Sequence, residues 1–217
     1  MYECVQGKDT DSQVLLRRVL VRAGMLSVRY SLSLKNANGE EFVDSGYTPL
    51  IHAARLGIVG RVAYFIEKGA DIEEKNDDGD TALIVAAIEG EIEMVKELLD
   101  NHADIEAKNN DGHTALVFSI LFRYIDIVKE LLKRGADIEA MSDKGNALIA
   151  ASFSGQLNVM KWLLGRGANI EASNANGDTA LIRASFNGHV PVVKWLLEKD
   201  ANIEAKDDKG ATALICA

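Results

Sequence analysis

The phrase Gly79-Asp80-Thr81-Ala82-Leu83 returns 33 residues later as Gly112-His113-Thr114-Ala115-Leu116. It recurs at Gly177-Asp178-Thr179-Ala180-Leu181 and Gly210-Ala211-Thr212-Ala213-Leu214, with an earlier form at Gly46-Tyr47-Thr48-Pro49-Leu50. A fixed period of this length constrains the chain to a solenoid of stacked supersecondary units. One such unit has too little apolar surface to offset its own chain entropy, so it gains stability only by covering its neighbour.

Within the unit from Asp80 to Gly112, Thr81 offers a side-chain oxygen as N-cap to a short helix of small and apolar residues, Ala82 to Ala87. Gly90 suits the left-handed position past its end. Glu91 to Leu99 then carries apolar residues at helical spacing, so a second helix is expected antiparallel to the first. Ala103 to Gly112 holds one Ile among polar and turn residues, which predicts an extended loop or hairpin projecting sideways. The pairs Ala53-Ala54, Ala86-Ala87, Ala151-Ser152 and Ala184-Ser185 keep the first helices thin. Leu98-Leu99, Leu131-Leu132, Leu163-Leu164 and Leu196-Leu197 are expected to fill the core behind them.

The motif Thr48-Pro49-Leu50-Ile51-His52-Ala53-Ala54, the phrases Gly69-Ala70-Asp71-Ile72, Gly135-Ala136-Asp137-Ile138 and Gly167-Ala168-Asn169-Ile170, and the period itself resemble ankyrin repeats. The resemblance covers residues 47–217 as five full units and a truncated sixth. It implies an all-α repeat solenoid of helix-turn-helix units with projecting β-hairpin loops.

Departures from the pattern are specific. Ile51, Ile84, Val117, Ile149, Ile182 and Ile215 stand where the family signature has His, so apolar packing is expected to replace its inter-repeat hydrogen bonding. The fourth unit is one residue short at Gly145-Asn146-Ala147-Leu148, and Asn146 becomes the expected N-cap after a tightened loop. Arg123 stands where Gly57, Gly90, Gly155 and Gly188 occur, which predicts a reshaped turn or tolerated backbone strain of roughly 1 kcal/mol.

Residues 1–46 do not fit the period. Gln13 to Gly24 reads as a capping helix with Arg17, Arg18 and Arg22 on its outer face. Gly24 to Gly46 spans 22 positions against 10 from Gly69 to Gly79, and Ser27 to Leu34 alternates, so an extended hairpin is expected there.

The chain has no apolar run of the roughly 20 residues a membrane span needs, and its N-terminus lacks the pattern of a secretory signal. Cys4 and Cys216, near opposite ends of the stack, fit unpaired thiols and hence an intracellular, cytoplasmic setting. Six basic and six acidic side chains balance within residues 1–46, so the repeats carry the net charge of −9. An acidic surface argues against a nucleic-acid groove and fits a protein partner, a basic one included.

No catalytic, metal or cofactor constellation is found. His52, His102, His113 and His189 fall at differing positions of different units, the carboxylates recur with the period, and no phosphate-loop motif is present. Two stripes remain. The residue after each small pair is Arg55, Ile88, Leu121, Phe153 and Phe186, a position that the family resemblance places on a concave, partner-binding face; Phe118, Phe122 and Tyr124 make the third unit the most apolar. Either these side chains meet a partner or they pack against adjacent helices, and exposure decides. Glu73, Glu106, Glu139, Glu171 and Glu204 form an acidic row in the loops, and Lys96, Lys129, Lys161 and Lys194 a matching basic row on the second helices. Both rows are expected to serve solubility and register.

The expectation is a non-enzymatic scaffold that holds a protein through this face and through loop tips at Tyr47, Asp80, His113, Asn146 and Asp178. Two alternatives stay open. The array is the recognition arm of a longer enzyme or membrane protein, or its end, at Leu214 and Ile215, stacks on a second copy although a monomer is favoured.

Overall fold

The computed structural model describes residues 47–142 and 144–216. The expected capping helix, the expected hairpin near residues 25–46 and Cys4 lie outside them. Among the described residues there are ten α-helices and no strands, arranged as five antiparallel pairs. They are α1 (Pro49–Arg55) with α2 (Val62–Glu67), α3 (Ala82–Glu89) with α4 (Ile92–Asp100), α5 (Ala115–Leu121) with α6 (Ile125–Lys133), α7 (Ala147–Phe153) with α8 (Leu157–Leu164), and α9 (Ala180–Phe186) with α10 (Val190–Glu198). A 3-10 turn, Val59–Arg61, leads into α2.

Each first helix starts on a side-chain cap. The hydroxyls of Thr48, Thr81, Thr114 and Thr179 accept the backbone N–H three residues on, at 3.3 to 3.5 Å. In the shortened fourth unit Asn146 Oδ1 takes over, accepting from the Ile149 N–H at 3.1 Å, and α7 is intact behind it. The preceding loop closes from Ser142 to Gly145 in place of the five-residue closure from Asn76 to Asp80. One deleted residue therefore tightens the tip without disturbing the helix.

The turn between paired helices needs a left-handed residue. Gly90 supplies it at φ 76°, and Arg123 adopts the same conformation at φ 66°, so the third turn keeps its shape and carries the strain. Arg123 also donates from Nη2 to the Ser154 carbonyl of the next unit, a contact glycine could not make.

Successive first helices pack directly on one another from α1 through α9. Ala86, Ala87, Ala151 and Ala184 are fully buried there, as close helix approach requires. Ile51, Ile84, Val117, Ile149 and Ile182 are buried beside them, while Ile215 is 72% exposed in the turn that follows Thr212. The Leu pairs depart from expectation. Leu98, Leu131, Leu163 and Leu196 are buried, but Leu99, Leu132 and Leu164 are only half-buried and Leu197 is exposed. Adjacent helical residues point about 100° apart, so only one of each pair can face the core.

The projecting loops are hairpin-like without a strand ladder. Backbone bonds such as Asn76 N–H to Asp80 carbonyl close them, and the bridges Ser173 to Thr179 and Lys206 to Thr212 are isolated. Asn76, Asn109, Asn174 and Asp207 each use one side-chain oxygen to accept two backbone N–H groups across the turn. These side-chain turns do the work a longer ladder would do.

Candidate functional site

The acidic row is a structural ladder. Oε1 of Glu73, Glu106, Glu139 and Glu171 accepts the backbone N–H of Asp104, Asp137, Asn169 and Asn202, one unit further on, at 2.6 to 2.9 Å. Burial raises the Glu73 carboxyl above its ordinary value, opposed by the Asp104 N–H that favours the charged form. Lys75 and Lys108 add a parallel ladder, donating to the carbonyls of Lys108 and Met141. These carboxylates hold register between units and are not a free docking strip. In the basic row, Lys96 and Lys129 pair with Glu93 and Asp126 of their own helices, exposed contacts of little energetic weight.

The row after each small pair divides along the stack. Ile88 and Leu121 are half-buried against the core, and Arg55 lies over the half-buried Tyr47 ring at 5.1 Å. Phe153 and Phe186 are 47% and 66% exposed, and Phe122, the residue that follows the end of α5, is 50% exposed. Phe122 stacks on Phe118 with ring centroids 6.3 Å apart and meets Tyr124 at 6.4 Å. Exposed phenylalanines on adjacent first helices form an apolar face that no described residue covers.

The residues expected at loop tips are placed otherwise. Asp80, His113, Asn146 and Asp178 are all buried. They stand where the loop re-enters the helix layer, and neighbouring units cover them. Asp80 Oδ1 accepts from Asn109 Nδ2 of the next unit at 3.0 Å, Asn146 Nδ2 donates to Glu139, and Asp178 pairs with Arg183 at 2.6 Å. Burial raises the Asp80 carboxyl above its ordinary value, partly offset by the bonds from Asn109 and Asn76. The exposed tips are the residues just before, including Asp77, Asp78, Asp111, Lys144 and Asn176.

Between the third, fourth and fifth units the face opens into a groove of about 400 Å³. Val117, Leu121, Ala150 and Phe153 give it an apolar lining, with Lys144 and Arg183 among its polar groups. Lys144 and Arg183 were not singled out by sequence. The signal available was Arg183 itself, the charged residue at the helix register held by Val85, Phe118 and Ala150 in the units before it. Among the described residues no group of three or more His, Cys, Asp or Glu is arranged to hold a metal ion, and no helix is long and apolar enough to cross a membrane.

Comparison with known proteins agrees with this geometry. A family model described as ankyrin repeats (3 copies) matches residues 62–142 and 147–217, and a single ankyrin repeat model matches residues 45–77. No curated protein sequence matches. Among solved structures, the ankyrin repeat domain of Bcl-3, described as a unique member of the IkappaB protein family, superimposes with a TM-score of 0.70 at 29% identity. That match covers 94% of this chain and 87% of the other.

Proposed function

The chain belongs to the ankyrin repeat family, and from that premise we propose that it is a non-enzymatic scaffold whose first-helix face captures a protein partner. Ankyrin repeats are in general protein–protein interaction modules, which supports the class of function. The observation that carries the assignment to this face is the exposure of Phe153 and Phe186 on consecutive first helices, with Phe122 exposed just past the end of α5. Large aromatic side chains of this kind are enriched among the anchors of interfaces, where truncating one costs about 2 kcal/mol or more of binding. Leu121 and Ile88 continue the row as half-buried shoulders, and Arg55 over Tyr47 forms its polar end. Asp80, Asn146 and Asp178 lie buried beneath this face, and His113 lines the groove within it.

The experiment is capture from a cell extract with the full chain and with a Phe153→Asp, Phe186→Asp variant, both checked by far-UV circular dichroism. Both positions are exposed, so the fold is expected to survive. The partner should be held by the parent chain and lost by the variant. Equal capture by the two would remove this face from the account.

A further inference from the structure

Two local departures from the repeat meet at the groove between the third and fifth units. The fourth loop lacks one residue, so its tip is shorter than those on either side, and it carries Lys144. Behind it, the helix register occupied by Val85, Phe118 and Arg183 in other units holds the small Ala150. The groove that they border has about 400 Å³ open, within the range of roughly 300 to 1,000 Å³ typical of formed ligand pockets. That volume takes one or two bulky side chains, not a whole helix.

The lining is apolar where it is deep and cationic where it is charged. Val117, Leu121 and Phe153 supply the apolar surface, and the ionisable groups among its described lining residues are His113, Lys144 and Arg183. Arg183 is already engaged by Asp178. Lys144 is exposed and has no ion-pair partner among the described residues. Lys144 is therefore a cation open to a partner, opposite in sign to the net charge of the chain, −9. Local complementarity governs specificity at contact, whereas net charge governs the long-range approach.

We infer that this groove receives a linear segment of the partner that inserts a bulky apolar side chain over Ala150 and sets an adjoining Asp or Glu carboxylate against Lys144. The inference rests on the first-helix face being the binding face, and it adds the chemistry of what binds there.

The test is selection of random linear peptides displayed on phage against the full chain, followed by fluorescence anisotropy of the enriched peptides. Ala150→Phe fills the groove with a side chain that Phe118 shows to be compatible with this register, and Lys144→Glu reverses the rim. Enriched peptides should share a large apolar residue beside an acid. Ala150→Phe should weaken them at least tenfold, and Lys144→Glu should weaken them about tenfold, an effect restored by exchanging the peptide's acid for Lys. A Lys- or Arg-rich consensus, or one indifferent to both variants yet lost in Phe186→Asp, overturns the inference and leaves the binding face standing. The absence of any enriched peptide also overturns it. Peptides indifferent to Ala150→Phe, Lys144→Glu, Phe153→Asp and Phe186→Asp overturn both.

Discussion

Glu106 Oε1 accepts the backbone N–H of Asp137 at 2.7 Å, across the boundary between two repeats. The same bond recurs at three other boundaries, so each unit's loop hands one carboxylate to the next. In a solenoid, stability is a sum of unit terms and nearest-neighbour terms, and this bond belongs to the second kind.

Glu106→Ala is accordingly expected to cost about 1 kcal/mol, less than a fully buried charged acceptor because the site is half-buried. Glu106→Gln keeps an acceptor oxygen and should cost about half as much. Urea denaturation followed by circular dichroism checks both, and the weakened boundary should also lower the m-value as cooperativity along the stack declines.

Gly90 is left-handed, and a Cβ there would meet the Tyr124 ring of the next unit at 2.6 Å. Gly90→Ala should therefore destabilise by about 2 to 4 kcal/mol, adding backbone strain to overpacking. In a Tyr124→Ala background the packing part should vanish, leaving about 1 kcal/mol from the backbone alone. A double-mutant cycle on denaturation midpoints measures that coupling.

Asp80 supplies a pH dependence whose sign follows from its raised carboxyl. The folded state holds the proton more tightly than the unfolded state, so stability from this group is full below the ordinary value of 3.8 and is lost as pH rises through the raised folded value. Asp80→Asn keeps an acceptor for Asn109 without the buried charge. It should be at least as stable as the parent at pH 7, and stability measured from pH 3 to 7 should fall less steeply in the variant than in the parent.

Periodicity made most of this architecture legible before any coordinates. Thr81, Thr114 and Thr179 were readable as caps because the same offset recurs, and Asn146 was readable because the missing residue left only one capping side chain in place. Gly90 announced its turn, and Arg123 announced a strained one. What single positions could not reveal was which neighbour covers them. Asp80, His113, Asn146 and Asp178 are polar and stand beside turns, so sequence puts them at tips. In the stack, the next unit closes over that register and buries them. The Glu row was legible as a feature of solubility and register, but its bonding was not, because its partner is a backbone N–H about 31 residues away that carries no sequence signal. The exposure of Phe153 and Phe186 against the half-burial of Leu121 and Ile88 likewise depends on how neighbouring helices stack, which a repeat alignment does not contain.

The most direct test of the binding account is hydrogen–deuterium exchange on the full chain with and without its captured partner, read helix by helix. The account predicts that added protection falls on α5, α7 and α9 and on the tips at Asp111, Lys144 and Asn176, while α6, α8 and α10 exchange as before. Protection confined to α6, α8 and α10, with the phenylalanine face unchanged, would contradict it.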